Sequence, residues 1–131
     1  MLQILYIAKL NQTNSLILDA LQTHLDSNVV MVEHKSIFDE NESLPNVDPD
    51  LVFFDLNTSV DLRNAPEKIR IVNEHFSNCA LIVIHPYSMK KFVEPLMNAG
   101  ANGIIPIAPA EGEVVTAVEE TLAGKNYICF S

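Results

Sequence analysis

Basic residues are scarce in this chain. Eight Lys and Arg stand against seventeen Asp and Glu in 131 residues, a net charge of −9. So acidic a chain repels phosphate backbones and anionic lipid surfaces. Its only adjacent bases are Lys90 and Lys91, so direct binding of nucleic acid or of a membrane surface is not expected. Cysteine is limited to Cys79 and Cys129, with no CxxC and no histidine at metal-ligand spacing. They read as two reduced thiols in the cytoplasm, not as a disulfide framework or a zinc site. Glycine is equally sparse, four in all, and no glycine-rich phosphate loop follows the first apolar run. Ser15, Ser59 and Ser88 lack a Gly-x-Ser-x-Gly surround, which removes the usual hydrolase signature. No apolar run approaches the roughly 20 residues that span a bilayer. The start, Met1 to Ile7, has neither a basic n-region nor a small-residue cleavage site, and a cytoplasmic location is expected.

What the chain has is a sizeable core. Hydrophobic residues make up 48% and charged residues 19%, outside the range of disordered chains. The length suits one domain, here taken as residues 1–124 with a tail at 125–131. Five short apolar runs recur: Gln3 to Ala8, Val29 to Glu33, Leu51 to Phe54, Ala80 to Ile84 and Gly103 to Ile107. Their lengths and β-branched content suit strands. The first, third and fourth do not alternate, as expected of strands covered on both faces in a parallel sheet.

The stretches between them have helical spacing. Thr13 or Asn14 can cap a helix with an inner face of Leu16, Ile17, Ala20, Leu21 and Leu25. Ala65-Pro66-Glu67 can start a second, with Ile69, Val72 and Phe76 inward. A third runs from about Lys90 to Ala99 and stops at Gly100, with Pro95 predicting a kink or a late start. The last runs from Glu111 to Ala123, with Val114, Ala117, Val118 and Leu122 inward. Ser36 to Asn46 suggests at most a short helix. The order βαβαβαβαβα predicts an α/β domain with a parallel sheet and right-handed crossovers. The tail Lys125 to Ser131 is apolar, and it either packs back on the domain or leads into a further segment.

In an open parallel sheet, chemistry sits outside the carboxyl ends of the strands. Those ends are Ala8-Lys9-Leu10, Asp55-Leu56-Asn57, His85-Pro86-Tyr87 and Ile107-Ala108-Pro109, which should share one rim. Asp55 is the only carboxylate among them.

At this rim the sequence resembles the receiver domain of bacterial response regulators. The resemblance rests on Pro49-Asp50-Leu51-Val52-Phe53-Phe54-Asp55-Leu56, Ala99-Gly100-Ala101-Asn102-Gly103 and Ala123-Gly124-Lys125-Asn126-Tyr127-Ile128. It covers nearly the whole chain in length and element order. It implies a flavodoxin-like three-layer sandwich with a five-stranded sheet of order 2-1-3-4-5 and about five helices. In that order the fifth strand is an edge, which would accommodate Pro106. The tail resembles regulators in which a helix-turn-helix effector, which would bind DNA, follows the receiver.

The family transfers a phosphoryl group to an aspartate. Two acids after the first strand help hold Mg²⁺, a hard cation that needs oxygen ligands. A backbone carbonyl two residues past the aspartate joins them. A hydroxyl after strand four and a lysine after strand five answer the phosphoryl charge. The resemblance makes Asp55 the phosphoacceptor equivalent and Asn57 the source of the carbonyl. The acidic pair reads Ala8 and Lys9, the hydroxyl position His85 and the lysine position Ile107. The switch positions read His85 and Ile104. Lys9 and Mg²⁺ a few Å apart in a partly buried site would repel by several kcal/mol. The chain therefore reads as a pseudo-receiver that needs no cofactor and has no catalytic residue. Asp55 would not be phosphorylated by the Mg²⁺-dependent route. Lys9 either forms an ion pair with Asp55 that fixes one conformation, or points to solvent while Asp55 caps the following turn.

His85 could instead be satisfied at a strand end, while His24, His34 and His75 read as surface residues. The resemblance implies output by protein–protein contact in a two-component phosphorelay. It places a homodimer or effector face on helix 4, strand 5 and helix 5, here Met89 to Ala123, with Phe92, Val93, Ile105 and Val115 as contributors. Two alternatives stay open: a working Mg²⁺-dependent phosphoreceiver regulating transcription, and a small-molecule binder on the same fold.

Overall fold

The computed structural model describes residues 1–39, 45–56, 64–85 and 90–128. Asn57, Pro86, Tyr87, Met89 and Cys129 lie outside them, as do the side chains of Lys90 and Glu111.

Among the described residues, six strands form one parallel sheet: β1 (Leu2–Ile7), β2 (Ser27–Val32), β3 (Leu51–Asp55), β4 (Ala80–Ile84), β5 (Gly103–Ile105) and β6 (Tyr127–Ile128). The described helices, α1 (Gln12–His24), α2 (Lys35–Phe38), α3 (Ala65–His75), α4 (Lys90–Ala99) and α5 (Glu111–Leu122), are interleaved with them. The strand order is β2-β1-β3-β4-β5-β6. This is the expected flavodoxin-like α/β arrangement with one strand more.

The additional strand comes from the tail, which packs back on the domain. Gly103 pairs with Tyr127 and Ile104 with Ile128. β5 is therefore interior, contrary to the expectation of an edge. Pro106 is tolerated because β5 ends at Ile105, one residue before the missing N–H would matter.

Residues alternating along the central strands feed two cores. On one face Leu5, Ile7, Val52, Phe54 and Val83 meet Ile69, Val72, Val93 and Leu96 of α3 and α4. On the other, Ile4, Tyr6, Phe53 and Ile82 meet Ile17, Leu21, Val114 and Val118 of α1 and α5. Strands covered on both faces bury every side chain, which is why β3 shows no alternation in sequence.

Three helix assignments need correction. Asn11, not Thr13 or Asn14, caps α1, its Oδ1 accepting from the Asn14 N–H at 2.8 Å. Leu16 is 64% exposed and Leu122 45% exposed, so neither is inward. Thr121 is buried in place of Leu122, its hydroxyl donating to the Ala117 carbonyl at 2.8 Å. The α4 segment holds Pro95 within its span.

The Ala99 to Gly103 stretch has a local cause. Gly100, at φ +127°, closes α4, with Ala101 N–H bonding the Leu96 carbonyl at 3.2 Å. Asn102 then joins strands: its Oδ1 accepts from Leu81 N–H at 2.9 Å, and its carbonyl accepts from Tyr127 N–H at 3.0 Å. A Cβ on Gly103 would lie 3.1 Å from Thr121 and 3.2 Å from Ile82, so glycine lets α5 close over the sheet.

Candidate functional site

The parallel register brings the carboxyl ends of the strands to one rim. Asp55 ends β3, its Cα opposite Ile84 of β4. Leu56 N–H bonds the Ile84 carbonyl, and His85 N–H bonds the Ile105 carbonyl, both at 3.0 Å. On the other side Ala8 N–H bonds the Val32 carbonyl at 2.9 Å. Ala8, Lys9, Asp55 and His85 thus share the expected rim.

Their environments differ. Ala8 is buried and packs in the α1–α5 core. Asp55 is 1% exposed and His85 3% exposed, both buried polar groups. Ile104 is buried in the opposite core, and Ile107 is half-buried against the α1–α5 side. The Lys9 side chain is exposed. It forms no ion pair with Asp55. Only the backbone of Lys9 enters the site. The expected ion pair is replaced because a neutral group gets there from the buried face of α1.

That group is Asn14. It is 1% exposed and lies on the same helical stripe as Ile17 and Leu21, at i, i+3 and i+7. Its Nδ2 donates to the Lys9 carbonyl at 2.7 Å and to Asp55 Oδ2 at 2.9 Å. Its Oδ1 accepts from the Tyr6 hydroxyl at 2.7 Å. Tyr6 is fully buried and stacks on Phe53, with ring centroids 5.4 Å apart and planes 5° from parallel. Burial, and then the Asp55 charge, push the Tyr6 phenol well above its ordinary pKa.

His34 is the second residue that reading along the chain misplaces. It is half-buried, not a surface residue. Its ring lies 5.2 Å from Phe54 and 6.2 Å from Phe38, and the Lys68 ammonium sits 4.3 Å over the Phe38 ring. Burial lowers the His34 pKa. The Asp55 charge and hydrogen bonding to the backbone of Asp55 and Ile7 oppose this, while Lys68 adds to it. His24 and His75 are exposed, as expected.

Signals for both residues were present. Asn14 falls on the apolar stripe of α1, where a polar residue must find a buried partner. His34 follows the second strand by two residues, which puts it on the rim.

The described rim residues do not supply the six or more oxygens that a hard divalent cation takes. The Ala8 and Lys9 side chains carry no oxygen, and Asn14 Nδ2 lies between the Lys9 carbonyl and Asp55. Among the described residues no cluster of three His, Cys, Asp or Glu could hold a metal.

The proposed contact face also changes. Val93 and Ile105 are buried in the cores and cannot meet a partner, while Phe92 and Val115 are half-buried. A groove of about 240 Å³, lined by Pro45, Asp48, His75, Phe76 and Cys79, lies at the far end of the sheet from Asp55. Burial, then Asp48 and Asp50, push the Cys79 thiol up to about 11, and Sγ donates to the Phe76 carbonyl at 2.9 Å. No described helix is long and apolar enough to cross a membrane.

No protein-family model matches the chain, and no curated protein is significantly similar to it in sequence. Solved structures are similar in fold. The RcsB response regulator of Salmonella typhimurium superposes with a TM-score of 0.78 at 18% identity, over 98% of this chain and 63% of RcsB. The chain thus spans less than two thirds of that protein. The isolated REC domain of RcsB from Salmonella enterica serovar Typhimurium, in the apo form, gives 0.75 at 20% identity, over 97% of this chain and 92% of the domain. A LuxR family DNA-binding response regulator from Silicibacter pomeroyi gives 0.74 at 16% identity, over 98% of each chain. With the strand order, the two cores and the rim carboxylate, these likenesses establish that the chain has the receiver fold of response regulators.

Proposed function

We propose that this protein is a receiver-like signalling module of a two-component pathway, acting in the cytoplasm by protein–protein contact without Mg²⁺-dependent phosphorylation of Asp55. The observation that carries the reading is the state of the rim carboxylate. Asp55 is buried to 1% exposure and hydrogen-bonded to an amide. Beside it stand an alanine, a lysine backbone and a buried histidine, where metal-binding acids and a hydroxyl would serve transfer. An in-line phosphoryl donor needs access to a carboxylate oxygen and positive charge to stabilise the transferring group. Burial opposes the first, and the described side chains beside Asp55 do not supply the second.

The output in this reading is a surface. Leu10 and Leu16, 69% and 64% exposed, give the start of α1 an apolar aspect. Any DNA contact falls to another polypeptide segment, because a chain of net charge −9 has no attraction for a phosphate backbone.

The test is incubation of the full chain with acetyl phosphate and Mg²⁺, followed by intact-mass measurement. No phosphoryl adduct is expected. An adduct that disappears on Asp55→Ala would establish a working phosphoreceiver and overturn the proposal.

A further inference from the structure

We propose that Asn14 is a positioning residue whose amide nitrogen takes the part of a bound cation, holding Asp55 in place and excluding divalent metal from the rim. The inference rests on the functional reading above and deepens it.

An amide offers two N–H donors at one end and an acceptor oxygen at the other. All of that capacity is directed here. The nitrogen lies 2.7 Å from the Lys9 carbonyl and 2.9 Å from Asp55 Oδ2. The oxygen lies 2.7 Å from the Tyr6 hydroxyl. The orientation follows from chemistry. Neither a peptide carbonyl nor a carboxylate has a proton to give, so the nitrogen end must face them. The Tyr6 hydroxyl then supplies the donor for the other end.

The nitrogen thus places partial positive charge between two oxygens on separate strand ends. A metal ion there would need oxygen contacts of about 2.0–2.6 Å, slightly shorter than these hydrogen bonds. The point is therefore of the right character for a cation but already filled. The filler is 1% exposed and held by three hydrogen bonds through its two amide atoms, and an incoming ion would have to break all three. The Lys9 ammonium is not needed, which agrees with its exposure.

Exchanging the donor for an acceptor should reverse the preference. Asn14→Asp is nearly isosteric, and its first carboxylate oxygen keeps the Tyr6 bond. Its second would face the Lys9 carbonyl and Asp55 with no proton between them. Two carboxylates so close must share a proton or take up a cation.

The experiment is thermal unfolding of the full chain titrated with Mg²⁺ or Ca²⁺, against Na⁺ at matched ionic strength. The wild type should show no saturable rise in Tm. Asn14→Asp should show one, reaching about 10 °C at a hundredfold excess over Kd, and Asn14→Asp/Asp55→Asn should lose it. Asn14→Ser removes the nitrogen without adding charge. It covers the case in which the aspartate variant does not fold, and should give a smaller, Asp55-dependent rise. A saturable, Asp55-dependent rise in the wild type would overturn the inference. So would folded variants that do not respond to either ion. An Asp55 phosphoryl adduct from acetyl phosphate, by contrast, bears on the functional reading, so the two failures are distinguishable.

Discussion

Removal of a single oxygen tests the buried network from its far end. In Tyr6→Phe the ring keeps its burial and its stacking on Phe53, so the substitution deletes only the hydroxyl that donates to Asn14 Oδ1 at 2.7 Å. The bond is lost and an amide oxygen is left buried without that donor, which costs about 1–3 kcal/mol. The unfolding entropy of a 131-residue chain is about 0.28 kcal/mol/K, so Tm should fall by about 4–11 °C. Circular dichroism melts and urea midpoints would measure it. A double-mutant cycle isolates the cause, because Tyr6→Phe should cost much less once Asn14→Ala has removed the acceptor. Alkaline pH adds an independent signature. The folded-state pKa of Tyr6 is raised above 10.0, so the folded chain holds a proton that the unfolded chain releases. That contribution to stability is complete below about pH 10 and is lost as pH rises further, and Tyr6→Phe should flatten this part of the profile. A loss equal in both Asn14 backgrounds, or a Tm within a degree of wild type, would refute the network.

Two further outcomes follow from burial. Ile17→Ala should cost about 2–5 kcal/mol in urea unfolding, whereas Leu16→Ala, one residue away and exposed, should stay within about 0.5 kcal/mol. His34 has a folded-state pKa below 6.5, so it favours the folded state above that pH and loses this contribution as pH falls through the folded pKa. His34→Gln should therefore narrow the difference between urea midpoints at pH 7 and pH 5.

The sheet was legible because its signal is local. Runs such as Leu51 to Phe54 and Ala80 to Ile84 are apolar without alternation, and their shortness favours strands covered on both faces over buried helices. The sixth strand was not, because Tyr127 and Ile128 hold only two ladder positions and pair with β5 through the Asn102 turn, a non-local contact. The helices show the same division. Gly100 ends α4 by its own backbone freedom, whereas Leu16 and Leu122 fit the apolar period and are left exposed by how α1 and α5 lie on the sheet. At the rim, position after a strand located Ala8, Lys9, Asp55 and His85. Partnership did not follow from position. Charge suggested Lys9 for Asp55, but a flexible ammonium loses conformational freedom and hydration on burial, costs that an amide already fixed on the buried stripe of α1 largely avoids.

The same division separates the rim carboxylate from the parts that hold the fold together. The two cores are built from side chains in the middle of the strands and the inner faces of the helices: Leu5, Val52, Ile69 and Val72 on one side, Ile4, Phe53, Ile17 and Val118 on the other. The rim residues Lys9 and Asp55 belong to neither core. Neither Ala8 nor Lys9 carries a carboxylate, so no carboxylate repulsion acts on Asp55 from these two positions. The remaining demand is that Asp55, buried as it is, keep hydrogen-bond partners. Asn14 meets part of that demand from the helix next to β1, and Tyr6 secures Asn14 in turn. If this is the order of dependence, Asp55→Asn should disturb Asn14 more than the cores. Amide hydrogen exchange should then quicken at Lys9 and the first turn of α1 while β3 and β4 keep their protection. Equal loss of protection across the sheet would make Asp55 part of the global fold instead of a site resting on it.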